Sequence, residues 1–239
     1  MFDNVSVGQT RIAESAPRQV YPYRRVWRAL LFDFGAMLAM VLIVLLGVAV
    51  GFLRDVPSNN WGLLLILVPL GTHLWFSVRA EQRAEEPRQG LLTILLFSAL
   101  LANGIGVPLV DGFFAPREWL AEAGFFSRVL GYAFTFGVTA EFLTYIAVRY
   151  TVFPSGFRTR IDGMAYSASA GMGYAAVLNA HVVFAEQSTV TADAVIIALN
   201  YFSQVSFGMI MGFFLADLAV APRKPPYYLA LGLLLGAVL

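Results

Sequence analysis

Apolar residues fall along this chain in long blocks separated by short polar connectors. A helix needs about 20 mainly apolar residues to cross the hydrocarbon core of a bilayer. Six blocks meet that requirement: Ala29–Leu53, Trp61–Val78, Leu91–Phe114, Phe126–Val148, Gly163–Ala185 and Ala194–Val220. A seventh follows Pro225-Pro226 and runs from Tyr227 to Leu239, where the thirteen residues of the sequence barely span. Either the natural chain continues or this helix is partial. The expected fold is an all-α polytopic transmembrane bundle of six full spans plus a partial seventh. Residues 1–28 would be an N-terminal segment and 29–239 a single transmembrane domain, with no separate soluble domain or internal repeat.

Composition points the same way. The 239 residues are 59% hydrophobic and 13% charged, with a mean hydropathy of +0.71. A soluble domain of this size needs a more polar surface. The net charge of +1 offers nothing to a nucleic acid or an acidic partner. Without cysteine there are no disulfides, thiol ligands or thiolate nucleophiles. The polar, arginine-bearing N-terminus precedes an apolar run too long for a cleaved signal peptide, so it reads as a retained first span.

Basic residues set the orientation. The N-terminus carries Arg11, Arg18, Arg24, Arg25 and Arg28, and alternate connectors carry Arg79, Arg83 and Arg88, then Arg149, Arg158 and Arg160, then Arg223 and Lys224. Of the 16 Lys and Arg, only Arg54, Arg117 and Arg128 fall elsewhere. The positive-inside rule then predicts a cytoplasmic N-terminus and an outward loop around Glu186–Asp193. The run Asn103-Gly-Ile-Gly-Val-Pro108 should bend the third span, and Ala115–Gly124 is expected to hold a short interfacial helix.

Ionisable groups inside a span are costly and mark function more often than elsewhere. Glu141 is the clearest, roughly 20 Å from the outer end of its helix at 1.5 Å per residue. It reads either as an acid that locks helices together or as a catalytic base or metal-associated carboxylate. Asn179, His181, Ser203, Gln204 and Ser206 read first as interhelical hydrogen-bonding groups. Asp33, Asp111 and Asp217 stand near helix ends and are expected to reach interfacial water. Gly163, Gly171 and Gly173 leave one helix nearly bare, and Gly208 and Gly212 form a GxxxG on the next. Such stripes permit close backbone approach and predict a tight bundle of the last three complete spans.

Three segments together resemble the PrsW family of intramembrane proteases, a branch of the CAAX-protease superfamily. Ala140-Glu141-Phe-Leu-Thr144 is similar to a Glu-Glu-x-x-Lys motif, with alanine for the first acid and threonine for the lysine. Asp162-Gly163 through Gly173-Tyr-Ala-Ala-Val-Leu-Asn179 is similar to an Asp-Gly helix ending in Gly-Phe-Ala-x-x-Glu-Asn, with Leu178 at the glutamate. Gln204 and Gly212 stand where the family has a histidine eight residues before a glycine. The resemblance covers about residues 126–218.

Members of this family are thought to hydrolyse peptide bonds within the membrane, using glutamates and histidines to hold a metal or activate water. Replacing an acid at Ala140, an acid at Leu178 and an imidazole at Gln204 removes the donors such chemistry needs. His181 lies on the same face as Leu178 but only about 7 Å from the outer helix end, too shallow to rescue the set. The expectation is therefore a catalytically degenerate PrsW-like scaffold with a vestigial Glu141, no metal and no cofactor. Its cavity would be lined by Glu141, Asn179 and Gln204 within the glycine frame. Its partners would be the lipid bilayer and transmembrane helices of other membrane proteins, and its location the bacterial inner membrane. Two alternatives stay open: an active metalloprotease with an altered ligand set on Glu141, and an accessory subunit of a respiratory or photosynthetic complex.

Overall fold

The computed structural model describes residues 23–53, 58–82, 87–185, 189–220, 225 and 227–238. These residues form nine α-helices and no strand: α1 Tyr23–Ala49, α2 Ser58–Glu81, α3 Leu91–Leu101, α4 Pro116–Trp119, α5 Phe125–Tyr132, α6 Val138–Thr151, α7 Arg160–Ala185, α8 Val190–Val220 and α9 Tyr227–Val238. Three π-helical stretches join α-helices into longer rods: Ala102–Gly106 and Pro108–Phe114 extend α3, and Ala133–Gly137 links α5 to α6. Lipid offers backbone groups no hydrogen bonds, so a spanning segment must satisfy them internally, and helices do. Four helical rods are long and apolar enough to cross a membrane: Trp61–Glu81, Leu91–Trp119, Phe125–Thr151 and Val190–Val220. The chain is thus read as an integral membrane protein. The described apolar part of α1, Met37–Ala49, and α9 are shorter. Glycine, alanine and serine replace larger apolar residues along α7, which is long but not among those four rods.

α7 is the axis of the bundle. It packs on α2, α3, α6 and α8, while α1 lies against α2 and α8, and α9 against α8 and α6. The α7–α8 crossing is a zipper with a four-residue repeat. Gly163, Ser167 and Gly171 on α7 face Gly212, Gly208 and Gln204 on antiparallel α8. A β-carbon at Gly163 or Gly212 would collide with the other's carbonyl oxygen, and one at Gly171 with that of Gln204. Gly173 brings α7 as close to the Leu95 carbonyl of α3. The stripe of small residues therefore acts as packing surface: backbones meet, and dispersion contacts replace the hydrophobic drive that lipid does not supply.

Large apolar side chains fill the rest. Met37 and Met40 of α1, Leu65 and Ile66 of α2, Met172 of α7 and Ile197 and Tyr201 of α8 form one cluster. The Tyr201 hydroxyl donates to the Ile66 carbonyl at 2.9 Å, three residues before Pro69, and Thr72 caps the Pro69 carbonyl at 2.8 Å. A second cluster joins Ile94, Val148, Tyr166, Met211 and Leu215.

One end of the bundle is rich in paired charge. Arg88 bonds Glu81 through Nη1 at 2.6 Å and Asp162 through Nε at 2.7 Å, tying α2 to the start of α7. Burial by itself would lower the Arg88 pKa, but the Glu81 and Asp162 charges outweigh it and raise it above its ordinary value. Arg160 bonds Asp217 at 2.6 Å, and Tyr228 of α9 donates to the same carboxylate at 2.8 Å. Asp217 is 1% exposed. It is therefore not the water-facing interfacial group its sequence position implies but a buried clamp for α7, α8 and α9. Asp111 is exposed as expected, while the Asp33 side chain and the segment 1–22 lie outside the described residues. The short helix expected between Ala115 and Gly124 is α4, a single turn whose Trp119 indole donates to the Phe114 carbonyl at 2.9 Å.

Candidate functional site

A stripe along the α5–α6 rod builds one wall of an open cleft of about 450 Å³. Phe125, Val129, Tyr132, Ala133, Phe136, Gly137 and Glu141 recur at helical spacing, and the π-helical turn Ala133–Gly137 lies in the middle of that wall. Ser203, Gln204 and Phe207 of α8 form a second wall, and Ala237 and Val238 of α9 the third. Gly137 lets α9 cross closely, since a β-carbon there would strike the Ala237 carbonyl. Such π-turns frequently accompany functional sites.

The cleft passes from lipid-exposed aromatic surface to buried polar groups. Phe125 is 74% exposed, whereas Glu141 is 1% and Gln204 5%. Among the described residues, neither carboxyl oxygen of Glu141 nor Oε1 of Gln204 has a hydrogen-bond partner. Gly236 of α9 packs directly on Glu141, where an added β-carbon would come within 3.0 Å of the carboxyl carbon. At the exposed end Arg128 donates to the Ala121 and Ala123 carbonyls at 2.8 and 3.2 Å, holding the preceding turn in place. Chemically, the arrangement presents acceptor atoms within an apolar, aromatic wall.

Several positions singled out in the sequence lie elsewhere. Asn179 does not line this cleft, contrary to the expectation that it would join Glu141 and Gln204. Its side chain is fully buried, accepting from Asn200 Nδ2 at 2.8 Å and reaching the Ile197 carbonyl at 3.4 Å. It fastens α7 to α8 two zipper steps beyond Gly171. Asp162 accepts from the Arg158 and Thr159 amides at 3.0 and 2.7 Å as well as from Arg88, so its oxygens are engaged in starting α7. It lines a second cavity of about 600 Å³ at the arginine-rich end, with Arg88, Thr151, Ser155, Arg158 and Tyr166. His181 is exposed, 3.5 Å from Asn103 Oδ1. Gly163, Gly171, Gly173, Gly208 and Gly212 are backbone-contact positions, as described above.

The positions that the PrsW resemblance marks as altered can be located in the structure. Ala140 and Leu178 meet in one apolar cluster with Ala102, Leu143 and Tyr174. Thr144, which the resemblance sets against a lysine, is fully buried near Gly208. Among the described residues no group of three or more His, Asp or Glu could hold a metal ion. The sequence reading passed over Asn200, Gly236 and the aromatics Phe136 and Phe207. The Gly232-x-x-x-Gly236 spacing in α9 was the one signal that could have flagged a close contact there. No family model, curated protein or solved structure matches this chain.

Proposed function

We propose that this chain is a catalytically silent, PrsW-like integral membrane protein that acts as a binding or scaffold module. The observation that carries the reading is the cluster of Ala140 and Leu178. Where peptide hydrolysis would need two carboxylates, these residues pack methyl groups against Tyr174, while Glu141 points to a cleft that contains no imidazole. A lone carboxyl and a neutral amide make a poor ligand set for zinc. In this reading the protein has six full spans, adding α1 and α7 to the four long apolar rods, with α9 as a partial seventh. Its arginine-rich end faces the cytoplasm of a bacterial inner membrane. Its partners are lipid and the transmembrane helices of other membrane proteins, which suits a subunit of a larger membrane assembly.

The test is reconstitution with a labelled transmembrane substrate. Neither the natural chain nor Glu141→Gln should cleave it, with or without added zinc. Metal-dependent cleavage abolished by Glu141→Gln would overturn the reading. One observation favours a second reading, an active protease with an altered ligand set: Glu141 is buried, lines the cleft and has no hydrogen-bond partner among the described residues. Elemental analysis separates the two, because stoichiometric zinc that disappears in Glu141→Ala belongs only to the enzyme.

A further inference from the structure

We infer that the cleft between α5, α8 and α9 binds a single-chain lipid amphiphile whose head group carries hydrogen-bond donors. The head lies against Glu141 and Gln204, and the chain runs along the α5 stripe toward Phe125. This deepens the reading above and rests on it.

Polarity argues for the head group. Glu141 and Gln204 are each more than nine-tenths buried and line the cleft, and no group among the described residues satisfies the two Glu141 oxygens or Gln204 Oε1. Buried polar atoms are normally paired, and leaving them bare is costly. A carboxyl oxygen accepts in either protonation state, and an amide oxygen only accepts. The missing complement is therefore a donor: a hydroxyl, an amide N–H or an ammonium. A head group with acceptors alone, such as an ester, leaves Gln204 Oε1 unmatched and can meet only the O–H of a protonated Glu141.

Shape argues for a chain. From Phe125 to Glu141 the stripe rises roughly 24 Å at 1.5 Å per residue, with Val129, Tyr132 and Phe136 along it. A volume of about 450 Å³ falls in the usual range for small-molecule sites, whose walls are mostly apolar with a few placed polar groups. Phe125 and Tyr132, 74% and 38% exposed, leave the groove open on the side toward lipid. A membrane-dissolved molecule enters there without crossing water.

The experiment uses the full chain in lipid nanodiscs with diazirine-bearing probes: a long-chain alcohol, the matching amine, the matching fatty-acid methyl ester and an apolar transmembrane peptide. The alcohol and amine should label residues of the α5–α6 rod, α8 and α9 saturably. The methyl ester should bind about tenfold more weakly, the equivalent of one net hydrogen bond. Alcohol and amine compared with each other distinguish a neutral from a cationic head. Glu141→Gln, which keeps an acceptor oxygen, should retain labelling, whereas Glu141→Leu should lower it about tenfold. Ser203→Phe fills the groove without touching the acid and should lower it as well, which covers the case of a misfolded leucine variant. Equal, non-saturable labelling by alcohol and ester, or displacement of the alcohol by the peptide, sinks the inference. Cleavage of the peptide in the same samples sinks instead the non-proteolytic reading beneath it.

Discussion

The arginine-rich end and the intramembrane cleft treat buried polar groups in opposite ways. At the end, Arg88 is shared between Glu81 and Asp162, and Asp217 between Arg160 and Tyr228. In the cleft, Glu141 and Gln204 are as deeply buried but leave acceptor atoms bare. The first arrangement is what stability selects, because each charge is matched by a donor of fixed geometry. The second costs stability and is retained where something outside the chain completes it. Ser98, Thr144, Ser167 and Tyr174 also bury hydroxyls without a partner among the described residues, but none lines the cleft, so Glu141 and Gln204 are set apart by lining a cavity as well as by lacking a partner.

That contrast is open to attack at several points. The largest effect belongs to Arg88→Met, which strands two carboxylates and should destabilise the protein by about 3 kcal/mol in reversible unfolding from detergent. Restoring balance with Asp162→Asn in the same chain should recover part of that loss. A single variant with no effect would show the paired end to be ornamental. Next, Gly171→Leu drives a side chain into the Gln204 carbonyl and should cost about 2 kcal/mol by overpacking. Gly104→Ala, where a β-carbon meets open space within a helical stretch, should instead stabilise the protein by about 0.5 kcal/mol and raise the unfolding midpoint.

Glu141→Met should act in the reverse direction to Arg88→Met. Removing an unmatched buried acceptor pair relieves a penalty of about 1 kcal/mol, so the midpoint should rise in ligand-free detergent. A fall of the size seen for Arg88→Met would mean that Glu141 has a structural partner and would erase the distinction between the two regions. The smallest effect sharpens the boundary between them. Asn179→Leu removes an interhelical bond worth about 0.6 kcal/mol in a membrane bundle, and Asn200→Leu added to it should cost little more. Both variants should leave amphiphile labelling intact, because neither residue lines the cleft.

How much of this was legible beforehand depends on the range of the interaction. Lipid imposes its demand on each helix separately, so block length was enough to place the four rods long and apolar enough to cross a membrane, of the six full spans expected, and small-residue spacing to place the four-residue stripes of α7 and α8. Glu141 stood out for the same local reason: an acid within an apolar block is anomalous wherever its neighbours lie. Asp217 was misjudged as water-facing, and Asn179, rightly read first as an interhelical hydrogen-bonding group, was misplaced in the cleft, because their partners, Arg160 and Tyr228 for one and Asn200 for the other, lie 57, 11 and 21 residues away. Sequence position gave depth along a helix but not the direction a side chain faces around it.

The sequence by itself determined that this is a helical membrane protein, where its helices run and which residues are anomalous inside them. Those facts follow from each segment meeting the bilayer alone. Only the tertiary structure decided that Ala140 and Leu178 share an apolar cluster, that Asn179 turns away from Glu141, and that α9 closes one side of a cleft. Those outcomes depend on the rotation of each helix about its axis, which is fixed by backbone contacts between glycines far apart in the chain.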